Sequence, residues 1–504
     1  MSAFHFDIKI NAGKRKLVDI DGFEISPNKI TFLFGESGIG KSIISKAFYG
    51  LLDGDDLKIK INDFDYPEYL KKDLVTEQKD TGFFVFQEPS SHLNPLRKLA
   101  VQLNEGSLKN ITKKDEQAII KFLWDGGDQV FLEKLLQVFP KPYRPSGGEK
   151  QRILLAMAFK KIKKYIDDKS QTKTALFVFD EPTGSLDNRF RNLFLQLLIE
   201  CYRQKPFSAL IITHDYSIIS EMETHYPDLQ KAIEYKELNR IQGKLKLDLF
   251  SKKAYLDWVK NQDKLSVVYD NNKNVLILKS PVSVFDRNLA FYKKGKDGQF
   301  SRTDLELRKN NLVYLKAQSG VGKTTIAKII MGLVKPEKMQ ISYGSLNADQ
   351  NTGEEVWRKS IWGQYVSMVF QHADESLNQN ASVIEAFNSL PLKKPMDQTQ
   401  LTAQLQTFFD EKINPTFLQK KIKFLSGGQK QRLNILRSML LETDVLIMDE
   451  PLNGLDLKSV HKVIGKIKLR QQQGAAILLI SHNEEIFDNM VSEENVIYLK
   501  IESK

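Results

Sequence analysis

The pattern Ser-Gly-Gly-x-Lys-Gln-Arg occurs twice in this chain of 504 residues, in "RPSGGEKQRILLA" (Arg144 to Ala156) and in "FLSGGQKQRLNIL" (Phe424 to Leu436). Ser146 and Ser426 lie 280 residues apart, far beyond a solenoid period and close to the size of a domain. Two related domains are therefore expected, and a hydrophobic content of 41% can fill more than one core.

Other features recur in the same order in each half. "ITFLFGESGIGKSIISKAF" (Ile30 to Phe48) and "LVYLKAQSGVGKTTIAKII" (Leu312 to Ile330) each read as an apolar strand, a loop and a helix. Gly35, Gly40, Lys41 and Ser42 complete the phosphate-loop pattern, with Ser37 and Gly38 inside it. The second copy has Ala317 in place of the first glycine and keeps Ser319, Gly320, Gly322, Lys323 and Thr324. The chemistry accounts for the spacing: glycines let backbone N–H groups wrap phosphates, the lysine offsets oxygen charge, the hydroxyl ligates Mg²⁺, and a helix N-terminus faces the anion.

A glutamine ends the next apolar strand in each half, Gln87 at 46 residues beyond Lys41 and Gln371 at 48 beyond Lys323. A lone strand-end glutamine is ordinarily a surface residue, but a matched pair points to a shared role. The Ser-Gly-Gly segments (Ser146, Gly147, Gly148 and Ser426, Gly427, Gly428, Gln429) then open amphipathic helices. This is the composition of an ordinary N-cap, and also what a second phosphate contact needs: a hydroxyl, free N–H groups and a positive helix end. "TALFVFDEPTGSLD" and "TDVLIMDEPLNGLD" are expected as buried parallel strands ending in paired acids. Acids so placed call for a cation or an unusual protonation state. Asp180 and Asp449 suit Mg²⁺, and Glu181 and Glu450 suit polarising a water for attack on the γ-phosphate. His214 and His482 follow another strand, 33 residues beyond Glu181 and 32 beyond Glu450, which suggests contact with the γ-phosphate.

Lys+Arg exceeds Asp+Glu by 74 to 63, so the surface suits an anionic partner or is simply Lys-rich and solvated. Cys201 is the single cysteine, which rules out an internal disulfide framework, argues against cysteine-ligated zinc or iron–sulfur, and fits a reducing cytoplasm. The amino terminus lacks a signal-peptide core, and runs such as "ILLAMAF" fall short of the ~18 residues a membrane span needs. A soluble chain is expected.

Five elements in the same order, twice over, resemble the nucleotide-binding domains of ATP-binding cassette (ABC) proteins across nearly the whole chain. The resemblance implies an α/β fold of two tandem P-loop NTPase domains, each with a mainly parallel sheet and a helical subdomain. On it the Gly-Lys-Ser/Thr loops are Walker A motifs, the Ser-Gly-Gly segments signatures, Asp-Glu the Walker B ends, and Ser185-Leu186-Asp187 and Gly454-Leu455-Asp456 the D-loops. It implies ATP sandwiched between the Walker A of one half and the signature of the other, in an internal pseudo-dimer. It also implies Mg²⁺ held by Ser42, Gln87 and Asp180 and by Thr324, Gln371 and Asp449.

Within the family, Val85 to Leu99 is similar to the glutamine-loop segment of peptide and nickel importer ATPases; here it reads Ser91-His92-Leu93-Asn94-Pro95, and the second half keeps Glu375-Ser376-Leu377-Asn378. Neither half has the cysteine-bearing extension common in that subfamily. The implied protein is the energy-coupling ATPase of an importer for peptides or a related small solute or metal chelate. It would sit peripherally on the cytoplasmic face of the cell membrane, with transmembrane permease subunits and an extracytoplasmic solute-binding protein as partners and no nucleic acid. The alternative is a soluble tandem ABC ATPase acting on ribosomes or nucleic acid.

The expected domains are 1–243 and 273–504, joined by a linker over 244–272 in which Asp270-Asn271-Asn272 reads as a turn. Helical subdomains are expected within 88–144 and 372–424. The crossed sites are expected to be unequal, because Pro145 and Glu149 in the first signature and Ala317 in the second loop fall in the same composite site. No clear aromatic precedes Lys41 to stack on adenine, whereas Tyr292 is placed to do so for the second loop.

Overall fold

The computed structural model describes residues 4–105, 108, 112–140, 145–171, 173–184, 188–241, 243–264, 274–318, 320–388, 390–409, 411–481 and 484–502. The chain divides into two units, Met1–Ala254 and Tyr255–Lys504.

The first unit is organised by the most apolar stretches. β3 (Ile30–Gly35), β7 (Leu176–Asp180) and β8 (Ser208–Ile212) are buried along their whole length, as strands covered on both faces must be. They run parallel, with β6 (Phe83–Val85) on the outer side of β7 and β9 (Ile233–Ile241) beside β3. Strands β1 (Phe4–Ala12), β2 (Arg15–Ile25), β4 (Lys58–Ile61) and β5 (Phe64–Asp65) pair antiparallel at the other end. β10 (Lys244–Leu249) lies between β2 and β9, giving one sheet in the order β5-β4-β1-β2-β10-β9-β3-β8-β7-β6.

β10 belongs to the stretch expected as a linker, so the first unit extends past residue 243. The alternation Lys244-Leu245-Lys246-Leu247 is a strand pattern, and Leu245 is 4% exposed in the core. The expected turn at Asp270-Asn271-Asn272 lies outside the described residues. Helix α1 (Lys41–Phe48) follows the phosphate loop. α2 (Lys113–Leu123) and α3 (Gln129–Leu136) form a helical layer, and α2 packs on the long α4 (Gly147–Asp167). After β10 comes α5 (Lys252–Lys260).

The second unit repeats the parallel core with β16 (Leu312–Lys316), β19 (Val366–Val369), β20 (Val445–Asp449), β21 (Ala476–Ile480) and β22 (Val496–Glu502). Here β13 (Arg287–Lys294) pairs directly with β22, flanked by β12 (Val282–Val284) and β14 (Phe300–Thr303). A separate antiparallel sheet contains β11 (Asn274–Leu278), β15 (Leu305–Arg308), β17 (Gln340–Tyr343) and β18 (Leu346–Asp349). α6 (Lys323–Ile330) follows the second loop; α7 (Gln398–Gln406) lies in the helical region and α8 (Gly427–Leu440) follows Ser426. Among the described residues no helix is long and apolar enough to cross a membrane.

Candidate active site

Each phosphate loop runs from a buried strand into a helix whose N-cap is glycine, Gly40 at φ 123° and Gly322 at φ 122°. Side chains rarely adopt this backbone, and no side-chain cap intervenes, so the first-turn N–H groups point out of the helix toward the loop. Lys41 Nζ donates to the carbonyls of Gly35 (2.6 Å) and Glu36 (3.0 Å), and Lys323 Nζ to Ala317 (2.7 Å). Both ammonium groups are thus held over their own loops.

The two loops differ at their first residue. Gly35 has φ 139°, and a Cβ there would meet the Leu238 carbonyl oxygen at 2.7 Å, so glycine is required. Ala317 is absent from the residues with positive φ, and its carbonyl still receives the lysine. Ala317 therefore carries no left-handed strain, and backbone strain at this alanine is no ground for inequality between the sites.

At the end of β7, Asp180 is fully buried and accepts a hydrogen bond from Ser42 Oγ at 2.9 Å. Burial raises its carboxyl to a pKa of about 6, against the pull of the Ser42 bond. Asp449, equally buried at the end of β20, is likewise pushed up to about 6 by burial, with the Thr324 hydroxyl opposing. Asp180 Oδ2 and both carboxylate oxygens of Asp449 have no hydrogen-bond partner of good geometry. Buried anionic oxygens beside a hydroxyl and a phosphate loop suit a small, hard divalent cation. Among the described residues no three His, Cys, Asp or Glu gather into a self-sufficient metal centre, so such a cation would draw its remaining ligands from phosphate and water.

The next residues, Glu181 (φ 46°) and Glu450 (φ 49°), both take left-handed backbone and donate their N–H groups to Ile212 and Ile480, each at 2.9 Å. Glu181 Oε1 lies 2.8 Å from His214 Nε2, and Oε2 accepts from Gln87 Nε2 at 3.0 Å. His214 Nε2 is also 3.5 Å from Lys41 Nζ. Burial pushes the Glu181 carboxyl up, but His214, Lys41 and Gln87 outweigh it and leave its pKa lowered. Glu450 is 2% exposed, and its Oε2 accepts from Ser481 Oγ at 3.3 Å. Ser481 was not anticipated; its only sequence signal is a hydroxyl ending β21, and the matching Thr213 hydroxyl instead accepts from the Asp215 N–H.

Ser146 and Ser426 are N-caps with complete capping boxes. Ser146 N–H donates to Glu149 Oε2 at 2.7 Å, Ser426 N–H donates to Gln429 Oε1 at 3.0 Å, and Gln429 Nε2 reaches Glu411 at 2.6 Å. The first signature therefore carries a carboxylate in its opening turn where the second carries an amide. Tyr292 donates its hydroxyl to Glu502 Oε1 at 2.6 Å, with Lys500 Nζ 5.1 Å from the ring centre. Ser319, His482 and Ser185-Leu186-Asp187 lie outside the described residues. Asp456 of the second D-loop segment caps the following helix through Ser459 N–H at 2.7 Å.

The sequence model of the ABC transporter family matches residues 18–184 and again residues 300–453, which include both loops, both signatures and both acid pairs. The chain belongs to the ABC transporter family. Like other ABC proteins, it binds and hydrolyses ATP. This ABC chain is 26% identical over 497 residues to the peptidoglycan transport ATP-binding protein YejF of Agrobacterium fabrum, covering 94% of this chain and 86% of that protein. It is 22% identical over 518 residues to the glutathione import ATP-binding protein GsiA of Pectobacterium atrosepticum, covering 95% and 81%. The solved structure titled RNase-L Inhibitor shares the fold at a TM-score of 0.58 and 16% identity, over 94% of this chain and 86% of that one.

Proposed function

We infer that this chain is the ATP-hydrolysing, energy-coupling subunit of an importer for peptide-like solutes, a peripheral protein of the cytoplasmic membrane face that works with separate permease subunits and an extracytoplasmic solute-binding protein. The observation that carries the reading is the hydrogen-bonded cluster of Lys41, Ser42, Gln87, Asp180, Glu181 and His214 in a chain whose relatives, matched over more than nine-tenths of its length, are import and transport ATP-binding proteins.

Loop N–H groups and Lys41 take the β- and γ-phosphate charge of ATP. Ser42 and Asp180 would hold Mg²⁺, with Gln87 alongside; Thr324, Asp449 and Gln371 are the second set. When bound, the ion would supply positive charge that offsets the charge of the phosphate oxygens. Glu181, kept anionic by His214, accepts a proton from water as its oxygen bonds the γ-phosphorus and the bond to the β-phosphate oxygen breaks, releasing ADP. In a head-to-tail pseudo-dimer, Lys41 and Glu181 would work opposite Ser426, and Lys323 and Glu450 opposite Ser146. Glu149 then places a carboxylate at the helix end that meets the second γ-phosphate, which slows hydrolysis there without abolishing it.

Detergent extraction of membranes should recover the chain with membrane-spanning permease subunits. Recovery with ribosomes only, in both low and high salt, would sink the importer reading and leave the ATPase assignment standing.

A further inference from the structure

The helices that follow the two signatures differ in how they are joined to the glutamine segments. In the second unit the seam is polar. Asn434, 1% exposed, donates Nδ2 to the Phe370 carbonyl at 2.9 Å and accepts from Ser376 Oγ at 2.9 Å. One turn on, Arg437 donates Nη1 to the Ser376 carbonyl (2.7 Å) and Nε to that of Ala386 (2.8 Å). Ser438 Oγ donates to Met368 O at 2.7 Å, and Lys430 pairs with Asp374 at 2.9 Å. These bonds grip the chain on both sides of Gln371. Asn434 also donates to Gln431 Oε1 at 3.4 Å, while Gln431 Nε2 lies 3.5 Å from the Glu450 carbonyl.

The positions 280 residues earlier are Leu154, Met157 and Ala158, all buried in the first unit. They carry no N–H or O–H on their side chains, so no such tie can form. The trace of its absence is Gln151, the counterpart of Gln431: it is 3% exposed, and neither amide atom has a partner among the described residues. Gln87 is instead bonded to Glu181.

We propose that Asn434 and Arg437 are positioning residues for Gln371. They join α8 and the segment Phe370–Asn378 into one body, so that Gln371 is carried by any movement of the helix behind Ser426. Gln87 lacks the counterparts of these two side chains, Leu154 and Met157 standing in their places on α4, and is bonded to Glu181. The two glutamines thus take their positions from opposite directions, one from the signature helix of its own unit and one from Glu181.

Hydrogen exchange on the full chain tests this, because the N–H groups of Glu375, Ser376 and Leu377 are hydrogen-bonded within the segment and report its opening. In N434L/R437M, exchange there should rise about tenfold, the equivalent of one or two lost hydrogen bonds, while β20 and α8 stay protected. R437K, which keeps a donor, should restore part of the protection. The reciprocal L154N/M157R should slow exchange at His92 and Leu93 and give Gln151 a partner. In a Glu181→Gln background, where turnover depends on Glu450, N434L/R437M should lower kcat with little change in KM for ATP. Unchanged exchange at 375–377, or a rise shared equally by β20 and α8, would overturn the proposal, as would a change confined to KM.

Discussion

In the first unit Glu181 is held by polar neighbours that converge on it, His214 and Gln87, with Lys41 behind the histidine. In the second, Glu450 accepts from Ser481 Oγ, and polar side chains collect at the seam between α8 and the glutamine segment. What the units share is set by backbone: a glycine N-cap after the loop, lysine on loop carbonyls, a capping box at the signature and a left-handed residue after the buried aspartate. What differs among the described residues is the side-chain wiring at the seam between signature helix and glutamine segment. Duplicated domains can keep a backbone that binds phosphate and still diverge in which element steers each catalytic group.

The sharpest break of this comparison is to remove each carboxylate in turn. Glu181→Gln should lower steady-state ATP turnover by on the order of 100-fold, the scale of a lost general base, and Glu450→Gln by less than about tenfold. Equal losses, or a larger one at Glu450, would mean that the sites are not unequal as described.

The buried aspartates should behave alike, which makes them a control. Each has a folded pKa of about 6 against an ordinary value of 3.8, so the folded state keeps the proton between roughly pH 4 and 6 where the unfolded chain has released it. Folding is therefore penalised as pH rises through that window, and the penalty is absent below it. Asp180→Asn and Asp449→Asn should each stabilise the ligand-free protein by about 3 kcal/mol at pH 7 and by little at pH 4, read from urea midpoints. A gain of the same size at both pH values would contradict the cause assigned. Mg²⁺ affinity of the unaltered protein should rise with pH through about 6, because the carboxylate must be ionised to bind.

A smaller effect distinguishes the signatures. Gln429 fills the same capping position as Glu149, so Glu149→Gln should preserve the helix and remove only the charge. Measured with Glu181→Gln present, it should raise the residual turnover about threefold, the size of a charge at a helix terminus. No rise would remove Glu149 as the source of inequality. Smallest of all, Ala317→Gly should leave turnover unchanged and destabilise the chain by less than about 1 kcal/mol through backbone entropy. A gain in turnover would reinstate the strain that the loop geometry lacks.

Much of this architecture could be read from the chain alone, because the parts that bind phosphate are contiguous: strand, loop and helix stand next to one another in sequence. The strand-end acids were legible for the same reason, since "LFVFD" and "VLIMD" are wholly apolar up to the carboxylate. β10 was hidden because its lysines make the segment look like a connector, although every second residue is leucine over Lys244–Leu249. Ala317 was misjudged because what excludes a Cβ at Gly35 is the Leu238 carbonyl, a neighbour 203 residues away in sequence. The polar seam was invisible for a related reason. Asn434 and Arg437 differ plainly from Leu154 and Met157, but what they touch lies more than 50 residues upstream.

The left-handed backbone at Glu181 and Glu450 also bears on how such a pair can age. Glutamate pays on the order of 1 kcal/mol to stand there, and glycine or asparagine would stand there more easily. A copy relieved of its chemistry would feel a steady thermodynamic slope toward those residues, since each step down it would make the protein more stable. Both copies remain at the top of that slope, Glu181 at φ 46° and Glu450 at φ 49°. Loss of chemistry in either half would therefore first be visible at this one residue, as a gain in stability.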